Sequence, residues 1–483
     1  MARVPLGAGL LAGAGLLACT ATLARADTLR EALALAYETN PTLESARAQQ
    51  RATDENVPIA KAQGRPNVTT QATYSEALRR SPNAFTAPER AIAASVDLGV
   101  PIYSGGAVKN RIKAAKNRVE AGAADLRGTE SSLFSQVVAA YMDVIQNEAI
   151  VGLNRKNVAV LRINLQATSD RFEIGDLTRT DVAQSQSRLA LAESDLETAE
   201  ANLAGARETY IQLVGKAPED LQPPPPLPGL PETPQQAVEV ALADNPDLIA
   251  ARERVEAARN DVDVAGAGRL PTVSLFSQGN YNNYLNTLGG ATSAQFAQTE
   301  TTAQAGARLT VPIFQGGLPA AQRRQAQAQA SAALENEIAA ERDVIAQVRS
   351  AYTSWIAARS LIQSQQVAVD AADLSLEGVR AENSVGNRTI LDILDAEQEL
   401  LNANVRLVQA RRNAYVAAFT VLAAMGRAEA RDLDLGIDRL YDPELNYSRV
   451  RGKWFDFDDD PRPVAQSTST VDSPVQDGNI PQQ

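Results

Sequence analysis

Residues 100–106 read Val-Pro-Ile-Tyr-Ser-Gly-Gly, and residues 311–317 read Val-Pro-Ile-Phe-Gln-Gly-Gly. Pro101, Gly105 and Gly106 thus recur as Pro312, Gly316 and Gly317, at an offset of 211 residues. The offset holds onward through Tyr141 and Tyr352, Gly175 and Gly386, Asp181 and Asp392, and Gly215 and Gly426. Upstream, Asn40-Pro41 recurs as Asn245-Pro246 and Pro66 as Pro271, at an offset of 205. The chain is one unit written twice, and the difference of six residues falls between positions 66 and 100 of the first copy's frame. This divides it into a first repeat (27–215), a proline-rich linker (216–233), a second repeat (234–426) and a C-terminal segment (427–483). The linker, with four consecutive prolines from Pro223, is stiff and extended. The C-terminal segment is rich in Pro, Asp, Ser, Thr and Gln, and its last ~25 residues read as disordered.

Working outward from Pro101, the hydrophobic period changes twice. Ile92, Ala94, Val96, Leu98, Val100 and Ile102 alternate with small or polar residues, as do residues 303–313 in the second copy. Period two over this length is a strand with one apolar and one polar face. Weaker partner strands are expected at 66–78 and 271–285, joined by polar loops at 79–89 and 286–299. Before them, residues 28–63 read as a helical stretch interrupted at Pro41 and Pro58. After them comes a long helix over 108–172, roughly 100 Å of rod. A shorter helix over 177–214 follows, with Val182, Leu189, Leu196, Leu203 and Tyr210 at intervals of seven. Ile393, Leu400, Leu407, Ala414 and Val421 repeat that spacing, which winds helices left-handedly against their neighbours.

Lengths constrain the architecture. The two shorter helices of a copy, stacked end to end, match its long one, so a copy closes as a rod two helices wide with a hairpin at one end. Both hairpins fall at the same end. Four strands cannot close a membrane barrel, and open edges in lipid leave backbone groups unpaired. Strands entering a bilayer therefore demand an oligomer, eight strands from a dimer or twelve from a trimer. The fold class is mixed α and β: a four-stranded share of a transmembrane β-barrel plus long antiparallel helices forming an α-helical barrel.

Composition removes much chemistry. The 483 residues contain no histidine and one cysteine, Cys19, so histidine bases, Ser-His-Asp triads and His or Cys metal sites are excluded. Neither catalytic residues, nor a metal, nor a cofactor is expected. Net charge is −12, which gives no basic footprint for nucleic acid. Residues 1–26 read as a secretory signal peptide: Arg3, an apolar run over 6–18, and Ala24-Arg25-Ala26 as the cleavage site. The alternative makes Leu16-Leu17-Ala18-Cys19 a lipoprotein site with Cys19 lipidated. A soluble periplasmic coiled-coil adaptor or scaffold remains a competing function on these features.

With the duplicated Val-Pro-Ile-x-x-Gly-Gly, the paired Asn-Pro and two turn motifs, residues 27–430 resemble the TolC family of outer-membrane channel proteins. The turns read Phe-Glu-Ile-Gly-Asp-Leu-Thr-Arg-Thr-Asp-Val over 172–182 and Gly-Asn-Arg-Thr-Ile-Leu-Asp-Ile-Leu-Asp-Ala over 386–396. The resemblance implies a homotrimer with a twelve-stranded barrel in outer-membrane lipid and an α-helical tunnel in the periplasm. Its tip would open on contact with a periplasmic adaptor and an inner-membrane transporter. Residues 172–189 most resemble the branch serving type I protein secretion, which pairs with ABC transporters; the alternative is the drug-efflux branch, with RND transporters. It also implies that Asp392 and Asp395 ring the tunnel entrance, three copies gathering six carboxylates and raising some of their pKa values.

Asp181 and Arg388 match positions that hold the tip closed and are expected to pair with each other. Gly175 and Gly386 mark the tip turns. Asn383 stands where the family often has a tyrosine, which implies that part of the gate network is weaker or differently wired. Read without the family, Thr178-x-x-Asp181 and Thr389-x-x-Asp392 are simply helix-capping boxes. Trp355 reads as packing within a helical stripe, and Trp454 and Phe455, beside the acidic run 456–460, have no assigned role.

Overall fold

The computed structural model describes residues 27–79, 87–435 and 440–480. The expected signal peptide, Cys19 and the middle of the first hairpin loop lie outside the described residues. The first repeat runs α1 (Leu29–Thr39), α2 (Pro41–Asp54), α3 (Asn56–Ala62), β1 (Asn67–Glu76), β2 (Arg90–Ser104), α4 (Ala107–Glu173) and α5 (Arg179–Val214). The second runs α6 (Pro234–Asp244), α7 (Pro246–Ala267), β3 (Thr272–Asn283), β4 (Thr299–Thr310), α8 (Leu318–Ser384) and α9 (Ile390–Ala424), and α10 (Pro443–Val450) follows. A 3-10 turn, Gly290–Gln295, lies in the longer second hairpin loop.

Prolines set the breaks in the first helical stretch. Pro41 opens α2 behind the Asn40 cap. Pro58 lies three residues into α3, and the helix breaks just ahead of it, at Glu55, because its ring excludes the Asp54 carbonyl. The second copy has Asp263 at the matching place, and α7 runs unbroken. The two long helices have 67 residues each, about 100 Å. They lie side by side with shorter helices: α2, α3 and α5 stack along one side of α4, and α7 and α9 stack between α4 and α8.

All four strands form one antiparallel sheet in the order β1-β2-β3-β4, so β2 and β3 join the two repeats. Register places Val68, Tyr74, Ile92, Val96, Leu98, Leu275, Tyr281, Ala307 and Leu309 on one face. The other carries Thr69, Gln71, Ser95, Asp97, Gln278, Asn280, Gln304 and Arg308. An apolar and a polar face on strands of ten to fifteen residues suit lipid outside and a wet lumen inside. No described helix is long and apolar enough to cross a membrane.

One expectation is corrected. The second copy's strand ends at Thr310, and Val311 and Ile313 are exposed rather than paired, since β4 is an edge with no further described strand beside it. Beyond Val450 the described residues form no helix or strand, and the stretch expected to be disordered runs along α4 and α5 as far as Ile480. Arg207 donates to the carbonyls of Asp477 and Asn479 at 2.8 and 3.0 Å, and Arg155 to that of Ile480 at 2.9 Å. Its polar composition cannot build a core, yet its backbone acceptors find arginine donors on the helices.

Candidate functional site at the helical tip

Both long helices end in the same way. Gly175 and Gly386 each adopt φ of +82°, the left-handed conformation that lets the chain turn without a Cβ clash. Gly175 N–H donates to the Phe172 carbonyl and Asp176 N–H to that of Arg171, both at 2.9 Å. Gly386 and Asn387 repeat this with Asn383 and Glu382 at 2.9 and 3.0 Å. The returning helices then start on capping boxes. Thr178 N–H donates to Asp181 Oδ2, and Thr389 N–H to Asp392 Oδ2, each at 2.8 Å. Asp181 N–H and Asp392 N–H donate back to the threonine hydroxyls at 3.3 Å. The threonine donors hold both carboxyls below the ordinary aspartate range. At Asp392 the cap supplies donors that favour the anion within one chain, whereas the rise expected of some carboxylates concerns six of them gathered from three copies.

Within the chain, the expected pair of Asp181 and Arg388 does not form. Arg388 Nε donates to Glu382 Oε2 at 2.7 Å, and its Nη1 lies 3.7 Å from Asp392 Oδ1, so its charge is taken up inside its own turn. Asn383 fills the tyrosine position differently, its amide donating to the Arg388 carbonyl at 2.7 Å and tying down the turn. Asp395 is brought to Arg188, which donates to its Oδ1 and links α9 to α5.

A further carboxylate, unforeseen from the sequence, lies just above. Glu397 is buried, accepts from Asn164 of α4 at 3.0 and 3.1 Å, and pairs with Arg380 of α8 at 2.9 Å. Three helices converge on one side chain. The signal was an acid inside the apolar stripe between Ile393 and Leu400.

A family model described as outer membrane efflux protein matches residues 32–216 and 237–427, one stretch for each repeat. The chain belongs to that family. It is an outer-membrane channel of tripartite export systems rather than an enzyme, with the sheet in the outer membrane and the helical layer in the periplasm. "Outer membrane efflux protein BepC" of Brucella suis biovar 1 is 35% identical over 430 residues, covering 89% of this chain and 91% of that protein. "Alkaline protease secretion protein AprF" of Pseudomonas aeruginosa is 28% identical over 320 residues, 64% of each. Among solved structures, the Campylobacter jejuni CmeC outer membrane channel superposes with a TM-score of 0.73 at 18% identity, covering 88% of this chain and 89% of that one.

Proposed function

We propose that three copies close into the exit duct of a type I protein secretion system, working with a periplasmic adaptor and an ABC transporter. The observation that carries the assembly is a pair of open edges. β1 is exposed at every position and β4 at all but one. α4 has twenty buried residues, while α8, its equal in length, has five. Gly105 is packed against Ala267 and Leu270, whereas its counterpart Gly316 faces open space. Each unsatisfied feature of the second repeat has a satisfied equivalent in the first, and a second copy supplies the difference.

The repeat offsets give the register of the missing seam. Val96 pairs with Gly279 across β2 and β3. Shifting each strand by its own offset pairs Ala307 of one copy with Tyr74 of the next, and Leu309 with Ala72. On the same shift, residues 311–315 continue β4. A chain carrying Leu309→Cys and Ala72→Cys should give covalent dimers and trimers under mild oxidation, with neither single change doing so. Monomers alone would defeat the trimer.

In that trimer, Asp392 and Asp395 ring the entrance, and six carboxylates around one axis favour cations. Asp181 meets Arg388 between neighbouring tips. The secretion assignment rests on residues 172–189 and on the likeness to a protease secretion protein. The 35% identity to BepC favours a second reading, the outer-membrane component of an efflux pump working with an RND transporter. Deleting the gene separates the two: loss of secreted protein with unchanged drug tolerance supports secretion, and the opposite supports efflux.

A further inference from the structure

The C-terminal segment reverses direction beside the foot of the sheet. From Asp442 it climbs along α2 and α3. Asn446 donates to Asp54 at 2.7 Å, Lys61 to the Arg451 carbonyl at 2.7 Å, and Arg65 to the Lys453 carbonyl at 2.6 Å. The chain then turns back, and Asp458 and Asp460 pair with Lys453 and Arg449 at 3.2 and 2.6 Å. The apex of this excursion carries Trp454, Phe455 and Phe457, which are 55%, 81% and 96% exposed.

Three large aromatics held in water at one turn are unfavourable unless something covers them. Their position says what does. The Arg65 guanidinium lies 4.6 Å from the centre of the Trp454 ring, and Arg65 precedes the first residue of β1 by two. Val68, next in the strand, opens the sheet's apolar face. The apex is therefore level with the plane at which β1 passes into lipid. Lys61, Lys116, Arg65 and Arg451 cluster there, and burial together with their mutual repulsion holds the Lys61 ammonium below the ordinary lysine range. Asp458 and Asp460 are neutralised by their partners, and Asp456 and Asp459 limit how deep the turn can sink.

We propose that Trp454, Phe455 and Phe457 form an interfacial anchor on the periplasmic leaflet of the outer membrane, with Lys61, Arg65 and Arg451 facing lipid phosphates. Aromatic side chains with adjacent cations are what the headgroup region favours. This anchor lies outside the strands and fixes the height of the helical barrel against the membrane. It rests on the sheet lying in lipid.

Trp355 and Trp454 are the only tryptophans, so Trp355→Phe leaves one indole to report. The full-length protein with that change is reconstituted into phosphatidylethanolamine–phosphatidylglycerol vesicles, with and without lipids brominated near the headgroup. Trp454 emission should lie to the blue of free tryptophan and lose most of its intensity to bromine. Emission characteristic of water and indifferent to bromine overturns the anchor. Val96→Trp or Tyr74→Trp, each in a Trp355→Phe, Trp454→Phe background, reports the sheet separately. A quenched strand tryptophan with an unquenched Trp454 defeats the anchor alone, and silence from both defeats the membrane-spanning sheet as well.

Discussion

The side-chain amide of Asn40 donates to the carbonyl of Leu213 at 2.9 Å, joining the start of α2 to the end of α5. The same side chain accepts from the Thr42 N–H at 2.9 Å and caps α2. Asn245 does this again, donating to Ala424 and accepting from Asp247, both at 3.0 Å. One residue satisfies an orphan carbonyl of one helix and orphan donors of the next, and two short helices become a continuous partner for a long one.

Asn40→Ala or Asn245→Ala should each cost about 0.5–2 kcal/mol, the usual range for a lost cap, read as a lowered urea midpoint of the helical signal in detergent. Asn245→Ser keeps a capping oxygen and loses the amide donor to the Ala424 carbonyl. Its midpoint should fall between those of the wild type and Asn245→Ala.

Glu130 gives the helical wall a pH dependence. Its carboxylate accepts from the Ala430 N–H at 2.6 Å in a site where burial pushes its pKa up to about 7, against Glu429 and near Arg47 and Arg431. The unfolded chain releases this proton near 4.5, so folding takes one up between the two values. Stability from this group is thus full below about 4.5 and lost as pH rises to about 7, by roughly 3 kcal/mol at most. Glu130→Gln should flatten the dependence and be the more stable protein at pH ~8. Denaturant midpoints across that range test it.

Glu397 ties α4, α8 and α9 together above the tip, and removing it leaves the half-buried Asn164 amide and the exposed Arg380 guanidinium without their shared acceptor. Glu397→Ala should cost about 2 kcal/mol, on the scale of charge-assisted hydrogen bonds. Amide exchange should quicken in the last turns of α4 and α8 and the first turns of α9, but not near Asn245.

The duplication made most of the fold legible. Two copies of one pattern gave the long helices within a residue or two and placed all four strands, because period two and period seven leave unmistakable marks in long elements. Cross-chain chemistry was less visible. Glu397, Arg380 and Arg188 belong to different helices, and only the packing of those helices brings their charges together. The tip aspartates showed the opposite failure. The capping boxes at Thr178 and Thr389 were written locally and formed as written, whereas the link from Asp181 to Arg388 is absent within one chain, where Arg388 pairs with Glu382. Edge residues such as Val311 and Ile313 read as strand on alternation alone, and no described strand lies beyond β4 to pair with them.

Two charge reversals decide between local and intersubunit wiring of the tip. Arg188→Glu sets an acid against Asp395 across α5 and α9 within one chain, so it should splay the tip and raise single-channel conductance in planar bilayers whatever the neighbours do. Arg388→Glu acts differently. Inside its own turn it adds a third acid beside Glu382 and Asp392, in an exposed place where water and salt screen most of the repulsion. A link to Asp181 of the next protomer is less forgiving, because reversal there turns three closing contacts into three repulsions around one axis. Conductance raised by both variants is the outcome expected of an intersubunit gate. Conductance raised by Arg188→Glu and unchanged by Arg388→Glu would confine Arg388 to its turn and leave the α5–α9 contact as the element that holds the tunnel shut.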